Sequence, residues 1–256
     1  KGSTQTRLEN IAKEGAAVDI QEMNYDDCVR LAAKEADETP RGVMVQDTAW
    51  DGYEEIPSWI MQGYGTMAME AGEQLKEYGC ERPTHIFVQA GVGSLAGAVV
   101  GYFSNLYADN PPAFVVVEAE AAACLYKGAA AGDGQIRIVD GDMETIMAGL
   151  ACGEPNTISW DILKNHVKVF IAAPDWVAAT GMRMLGAPIK GDAPVTSGES
   201  GAAPFGALAA IMSMDEYADL RKDIGLDENS RVLLFSTEGD TDPDRYKNIV
   251  WKGLDK

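Results

Sequence analysis

The sequence is short of positive charge, of paired cysteines and of long apolar runs. Lys and Arg number 21 against 40 Asp and Glu, leaving a formal net charge of −19. Such a surface repels nucleic acid and anionic membrane, so neither is expected as a partner. The four cysteines (Cys28, Cys80, Cys124, Cys152) form no C-x-x-C pair, and the two histidines, His85 and His166, stand in no ligand spacing with them, so no metal site is expected. Reduced thiols and a cytoplasmic location are the expectation, with Cys124–Cys152 the pair to test for a bridge. No stretch reaches the ~20 apolar residues a membrane span needs. The opening residues, Lys1-Gly2-Ser3-Thr4-Gln5, hold no apolar core of a secretory signal. No G-x-S-x-G is present, which removes support for an α/β serine hydrolase.

What is there is ordinary globular material, 46% hydrophobic and 24% charged, rich in glycine at 27 of 256 residues. Short apolar runs at 43–47, 86–90, 114–118, 167–172 and 232–236 read as strands. Their apolar character is continuous rather than alternating, as in strands covered on both faces. Helical patterns follow at 59–78, 94–107, 119–131, 174–185, 203–211 and 214–224. The alternation predicts an α/β fold with an open, mostly parallel twisted sheet flanked by helices. Residues 6–14 and 25–36 read as helices and 17–21 as a strand. The polar stretch 35–41 separates that N-terminal piece, an incomplete small α/β domain over 1–41, from a large domain over 42–256.

Ligands of open α/β sheets gather at the carboxyl ends of the strands. After the 86–90 run comes Gly91-Val92-Gly93-Ser94-Leu95-Ala96-Gly97, a glycine-rich turn feeding a helix. Exposed amides and the positive end of a helix dipole there suit a phosphate. Gly91, Gly93 and Ala96 also fit a dinucleotide fingerprint, with Glu118 at the distance of a ribose-binding acid. A nucleotide-binding module without catalysis is therefore one reading. Asp47-Thr48-Ala49-Trp50-Asp51-Gly52-Tyr53 sets carboxylates and aromatics where an amine could be held or a proton moved. Gly63 and Gly65, early in a helical run, suggest close backbone packing or ligand approach. Thr196–Ala202 groups small hydroxyls around Glu199, suited to a ligand-facing turn or to a helix cap by Thr196 or Ser200. Ser236–Asp242 offers a hydroxyl that suits a ring nitrogen or a helix cap, and acids that suit a divalent cation. His85 and His166 read as partly exposed structural histidines, and Met61, Met67 and Met69 as core filling.

Taken in order, these pieces resemble pyridoxal-phosphate enzymes of fold type II, the tryptophan synthase β-like group. Glu14-Gly15-Ala16-Ala17-Val18 is similar to their small-domain turn, and Gln62-Gly63-Tyr64-Gly65-Thr66 to a segment of threonine and serine dehydratases. Glu199-Ser200-Gly201-Ala202 is similar to a turn of the same enzymes. Within the group the chain most resembles the diaminopropionate ammonia-lyases, through Gln46–Tyr53, Gly91–Ser94 and Ser236–Asp242. The resemblance implies pyridoxal 5'-phosphate as cofactor. Gly91, Val92, Gly93, Ser94 and Leu95 would hold its phosphate, and Thr237 would meet its ring nitrogen. Asp47 is the implied catalytic residue, with Asp47, Thr48 and Glu199 toward an amino-acid substrate. The reaction implied is elimination from 2,3-diaminopropionate to pyruvate and ammonia, by a homodimer. A serine/threonine dehydratase of the same fold is the alternative. The family's Schiff-base lysine lies in an upstream segment with no counterpart here, so a C-terminal part of a longer enzyme is expected.

Overall fold

The computed structural model describes residues 4–255. Its described residues form ten α-helices and four strands, joined by loops and three single turns of 3₁₀ helix. The helices are α1 (Gln5–Lys13), α2 (Tyr25–Glu38), α3 (Glu55–Glu77), α4 (Ser94–Leu106), α5 (Cys124–Ala131), α6 (Thr157–His166), α7 (Asp175–Gly186), α8 (Glu199–Ser213), α9 (Ala218–Ile224) and α10 (Pro243–Val250). The strands are β1 (His85–Gln89), β2 (Ala113–Ala119), β3 (Val167–Ala173) and β4 (Val232–Leu234). All pairings are parallel, in the order β3-β2-β1-β4. The chain thus winds outward from β1 through β2 to β3, then returns to the other side of β1 as β4. That reversal leaves a crevice at the carboxyl ends of β1 and β4.

The continuous apolar runs are resolved into two faces by the pleat. Phe87, Val115 and Val117 point into a core shared with α7 and α8. Ile86, Val88, Phe114 and Val116 point the other way, into a core with α4 and Trp160. Small residues let α7 and α8 touch closely: a Cβ on Gly206 would lie 1.9 Å from the Val177 carbonyl oxygen. Among the described residues no helix is long and apolar enough to cross a membrane.

Several sequence expectations change. Residues 17–21 and 43–47 form no strand, because no described segment offers either a hydrogen-bonding ladder. Val43 and Val45 are each 68% exposed. In place of a ladder, the Thr48 amide donates to the Gln46 side-chain oxygen at 2.8 Å, and the Tyr53 hydroxyl donates to the Met44 carbonyl at 3.0 Å. The linker expected at 35–41 is mostly the end of α2. α2 is tied to the body, Asp26 accepting the Gly153 amide at 2.9 Å and Arg30 pairing with Glu154. The helix expected at 214–224 is a 3₁₀ turn followed by α9. α8 starts at Glu199, earlier than expected, and carries Pro204 within it. α6 and α10 are additions to the helices that the apolar pattern predicts. Met61 is buried, whereas Met69 is 44% exposed and fills no core. Cys124 and Cys152 are buried free thiols, and no bridge joins them.

Candidate functional site

The crevice at the strand ends holds a cavity of about 410 Å³. Gly91, Val92, Gly93, Ser94 and Leu95 line it together with Asp47, Gln89 and Thr237. Three segments far apart in sequence therefore converge, in the way a parallel sheet with a reversal of strand order dictates.

The floor is the turn from β1 into α4. Gly93 sits at φ +101°, a left-handed conformation that glycine takes without strain. It is the N-cap of α4, and no side chain caps that helix. The first-turn amides of α4 have no intrahelical acceptor and remain available to an anion. Behind the turn, α4 and α6 are pressed together at Gly97, where a Cβ would lie 2.6 Å from the Ser159 Cβ. The Ser94 hydroxyl points away from any such anion: it donates to the Asp47 carbonyl at 2.7 Å. What Ser94 presents to the cavity is its amide.

The β4 side carries Thr237. Its hydroxyl oxygen accepts a hydrogen bond from the Gln89 side-chain amide at 2.7 Å, and the same amide donates to the Phe235 carbonyl at 3.0 Å. The Phe235 carbonyl sets the orientation of the Gln89 amide, since the reverse would face oxygen to oxygen. Thr237 thus has its proton free to donate. The Gln89 side-chain oxygen and the Ser200 hydroxyl, both buried on residues that line the cavity, have no hydrogen-bond partner. Buried polar atoms without partners are costly, and their presence here fits a cavity built around a polar ligand.

Opposite stand Asp47 and two tyrosines. The Tyr64 hydroxyl donates to the Asp47 carboxylate at 3.2 Å. Burial, then the Asp47 charge, pushes the Tyr64 phenol up to about 12, so it stays a donor across the physiological range. Tyr25 is raised too, chiefly by burial. Cys152 lines the cavity with its thiol pushed up to about 12, mainly by burial, and is neutral.

Two expected site residues lie elsewhere. Thr48 is buried but does not line the cavity. Glu199, at 4% exposure, is also outside the lining and is bound by Arg245 at 3.0 Å and Arg7 at 3.7 Å. The cavity receives its neighbour Ser200 instead, whose amide donates to Glu238 at 2.8 Å. A Cβ added at Gly63 or Gly65 on α3 would meet nothing within 4 Å, so no close packing explains them. His85 is buried at the far end of β1, hydrogen-bonded to the Ile224 carbonyl at 2.9 Å. Glu118, the acid of the dinucleotide alternative, also lies outside the cavity lining. Its carboxyl is 1% exposed and accepts the Leu125 and Tyr126 amides at 2.8 and 2.6 Å. It caps α5 from inside the protein, and burial outweighs those amides to push it up to about 8.

The family of pyridoxal-phosphate dependent enzymes matches residues 1–238. The diaminopropionate ammonia-lyase of Salmonella typhimurium is 54% identical over 254 residues, covering 99% of this chain and 63% of that protein. The diaminopropionate ammonia-lyase of Escherichia coli K12 is 48% identical, with the same coverage of 99% and 63%. A crystal structure of the holo enzyme from Escherichia coli superposes with a TM-score of 0.91 at 46% identity, over 100% of this chain and 63% of that one. The chain therefore spans a little under two thirds of the length of these relatives.

Proposed function

The chain belongs to the pyridoxal-phosphate dependent enzymes, and from that premise we propose that it carries the cofactor-binding body of a diaminopropionate ammonia-lyase, a carbon–nitrogen lyase. The reaction is elimination of the β-amine from 2,3-diaminopropionate followed by hydrolysis of the resulting enamine, which takes up one water and releases pyruvate and two molecules of ammonia in all. The observation that carries this reading is the cavity itself. An uncapped helix start faces a hydroxyl with a free proton across a space lined by unpartnered polar atoms.

The residues fit the cofactor. The amides of Gly91–Leu95 would hold its phosphate and Thr237 would meet its ring nitrogen. Bound there, pyridoxal phosphate supplies an electron sink for charge developing at the substrate α-carbon. The chain's own contribution is placement. Gln89 holds the Thr237 hydroxyl with its proton free, and a donor there would favour an unprotonated ring nitrogen and temper the sink. Asp47, held by Tyr64, attracts the cationic amines of the substrate or takes a proton beside the α-carbon. Among the described residues no lysine lines the cavity. The covalent lysine is proposed to lie in the part of the relatives' length that this chain does not cover. Residues 1–41 are assigned to a small domain and 42–256 to the large one. Four free thiols support a reducing, cytoplasmic setting. A homodimer is part of the proposal, to be checked by sedimentation mass.

The test is product stoichiometry in the cofactor-loaded enzyme. Two ammonia per pyruvate from 2,3-diaminopropionate supports the lyase. Turnover of serine with one ammonia, and none of the diamine, would make it a dehydratase. Asp47→Asn is expected to lower kcat/KM by about 100-fold or more with cofactor affinity retained. Unchanged turnover would remove Asp47 from the chemistry.

A further inference from the structure

Asp47 poses a mechanical problem. It stands in a segment with no β-ladder, yet its carboxylate must be held in one place to act. The structure supplies the support from Asn156, a residue 109 positions away in the chain.

We infer that Asn156 is a positioning residue that locks the Asp47 segment to the phosphate-binding turn. The inference rests on the lyase reading above and deepens it. Asn156 is fully buried, at 0% exposure, and is the N-cap of α6. Its side-chain oxygen accepts the Ile158 and Ser159 amides at 2.9 and 3.1 Å, which is the ordinary work of an N-cap. The other half of the side chain does something a cap does not require. Its Nδ2 donates to the Asp47 carbonyl at 2.7 Å and to the Ser94 hydroxyl at 2.8 Å. Ser94 donates in turn to the same Asp47 carbonyl at 2.7 Å, closing a triangle. The Asn156 backbone amide donates to the Val92 carbonyl at 2.8 Å. The next residue continues the tie, the Thr157 amide and hydroxyl both reaching the Ala49 carbonyl at 3.2 Å.

One side chain thus joins three parts: the start of α6, the turn that would hold the phosphate, and the backbone of Asp47. The cap fixes the orientation of the amide, because a flipped one would aim NH₂ at two amide donors. Aspartate or serine would serve as the cap. Neither can accept from α6 and also donate to both Asp47 and Ser94. The requirement for asparagine therefore comes from the site, not from the helix.

The experiment is a double-mutant cycle in the cofactor-loaded enzyme, using Asn156→Asp, which keeps the cap and removes the donor. Two readouts are taken: kcat/KM for 2,3-diaminopropionate, and the dissociation constant of pyridoxal phosphate from fluorescence titration. Alone, Asn156→Asp is expected to lower kcat/KM about 100-fold, the effect of a displacement of about 1 Å at the reacting group. In an Asp47→Asn background the same change should cost no more than about threefold, because it acts through Asp47. Cofactor affinity should weaken about tenfold in both backgrounds, through the lost hydrogen bond to Ser94. Full multiplication of the two kcat/KM losses, or unchanged cofactor affinity, would overturn the inference and leave Asn156 a helix cap. Should the buried carboxylate of Asn156→Asp prevent folding, Asn156→Ser caps α6 without a charge and takes the same two measurements. The two readings fail separately. A parent enzyme that binds no pyridoxal phosphate sinks the function, whereas an active parent matched by its Asn156 variants sinks this inference alone.

Discussion

Two regions meet at the cavity and are held by different forces. The ends of β1 and β4 are set by a parallel ladder and by cores on both faces of the sheet. The Asp47 segment has no ladder and is held by side chains reaching backbone: Gln46 and Tyr53 locally, Ser94 and Asn156 from a distance. Both regions carry β-branched residues, and only one becomes sheet. Strand propensity is largely a preference for a half-buried, pleated surface. Where the described residues offer no neighbouring strand, Val18, Ile20, Val43 and Val45 remain exposed.

The contrast can be broken at its strong end first. Phe87→Ala removes a ring that is fully buried in β1 and should cost about 3–5 kcal/mol in urea unfolding. A loss below about 1 kcal/mol would mean the sheet is not the rigid partner. A second test sharpens what that rigidity costs. Glu118 has its folded pKa near 8, above the ordinary carboxylate value, because burial disfavours its charge. Stability from this group is full below the unfolded pKa and falls as pH rises toward 8, at up to about 1.4 kcal/mol per pH unit. Above that it is flat. Glu118→Gln should flatten this part of a thermal-melt series from acid to mildly alkaline pH. An unchanged slope would remove Glu118 as its cause.

The weaker region gives the smaller effects. Gly63 lies on an exposed part of α3 with open space around its Cα. Gly63→Ala should raise stability by about 0.5–1 kcal/mol, and a loss instead would reveal a close neighbour. Smallest of all, Val45→Thr should change the unfolding free energy by no more than about 0.5 kcal/mol, since Val45 is 68% exposed. A cost several times larger would mean that this segment is packed as a strand after all.

The parts of the fold legible in the sequence are those where local pattern and final environment agree. β1, β2 and β3 are recognisable from unbroken apolar runs, and that continuity is what burial on both faces demands. The glycine turn after β1 declares itself because a helix must start at once where the strand stops. The helix starts of α6 and α10 are readable in principle. Asn156 and Asp242 are N-caps, and Pro243 opens α10. Those cap signals are short and stand between stronger apolar ones. The site is legible only in part. Gly91–Leu95, Asp47 and Thr237 do line one cavity. Thr48 and Glu199 do not, because a resemblance between segments cannot tell which of two neighbouring side chains turns inward.

By itself the sequence determined the class of the fold, the direction of its sheet and the turn that offers amides to an anion. Each follows from interactions between residues near one another in the chain, which composition and periodicity record. The tertiary structure alone decided that Asn156 grips Asp47, that Gln89 orients Thr237 and that Glu118 turns inward. Those contacts join residues brought together by winding order, and the hydrogen-bonding choice of a buried amide or carboxyl depends on whatever donor or acceptor arrives from the other side.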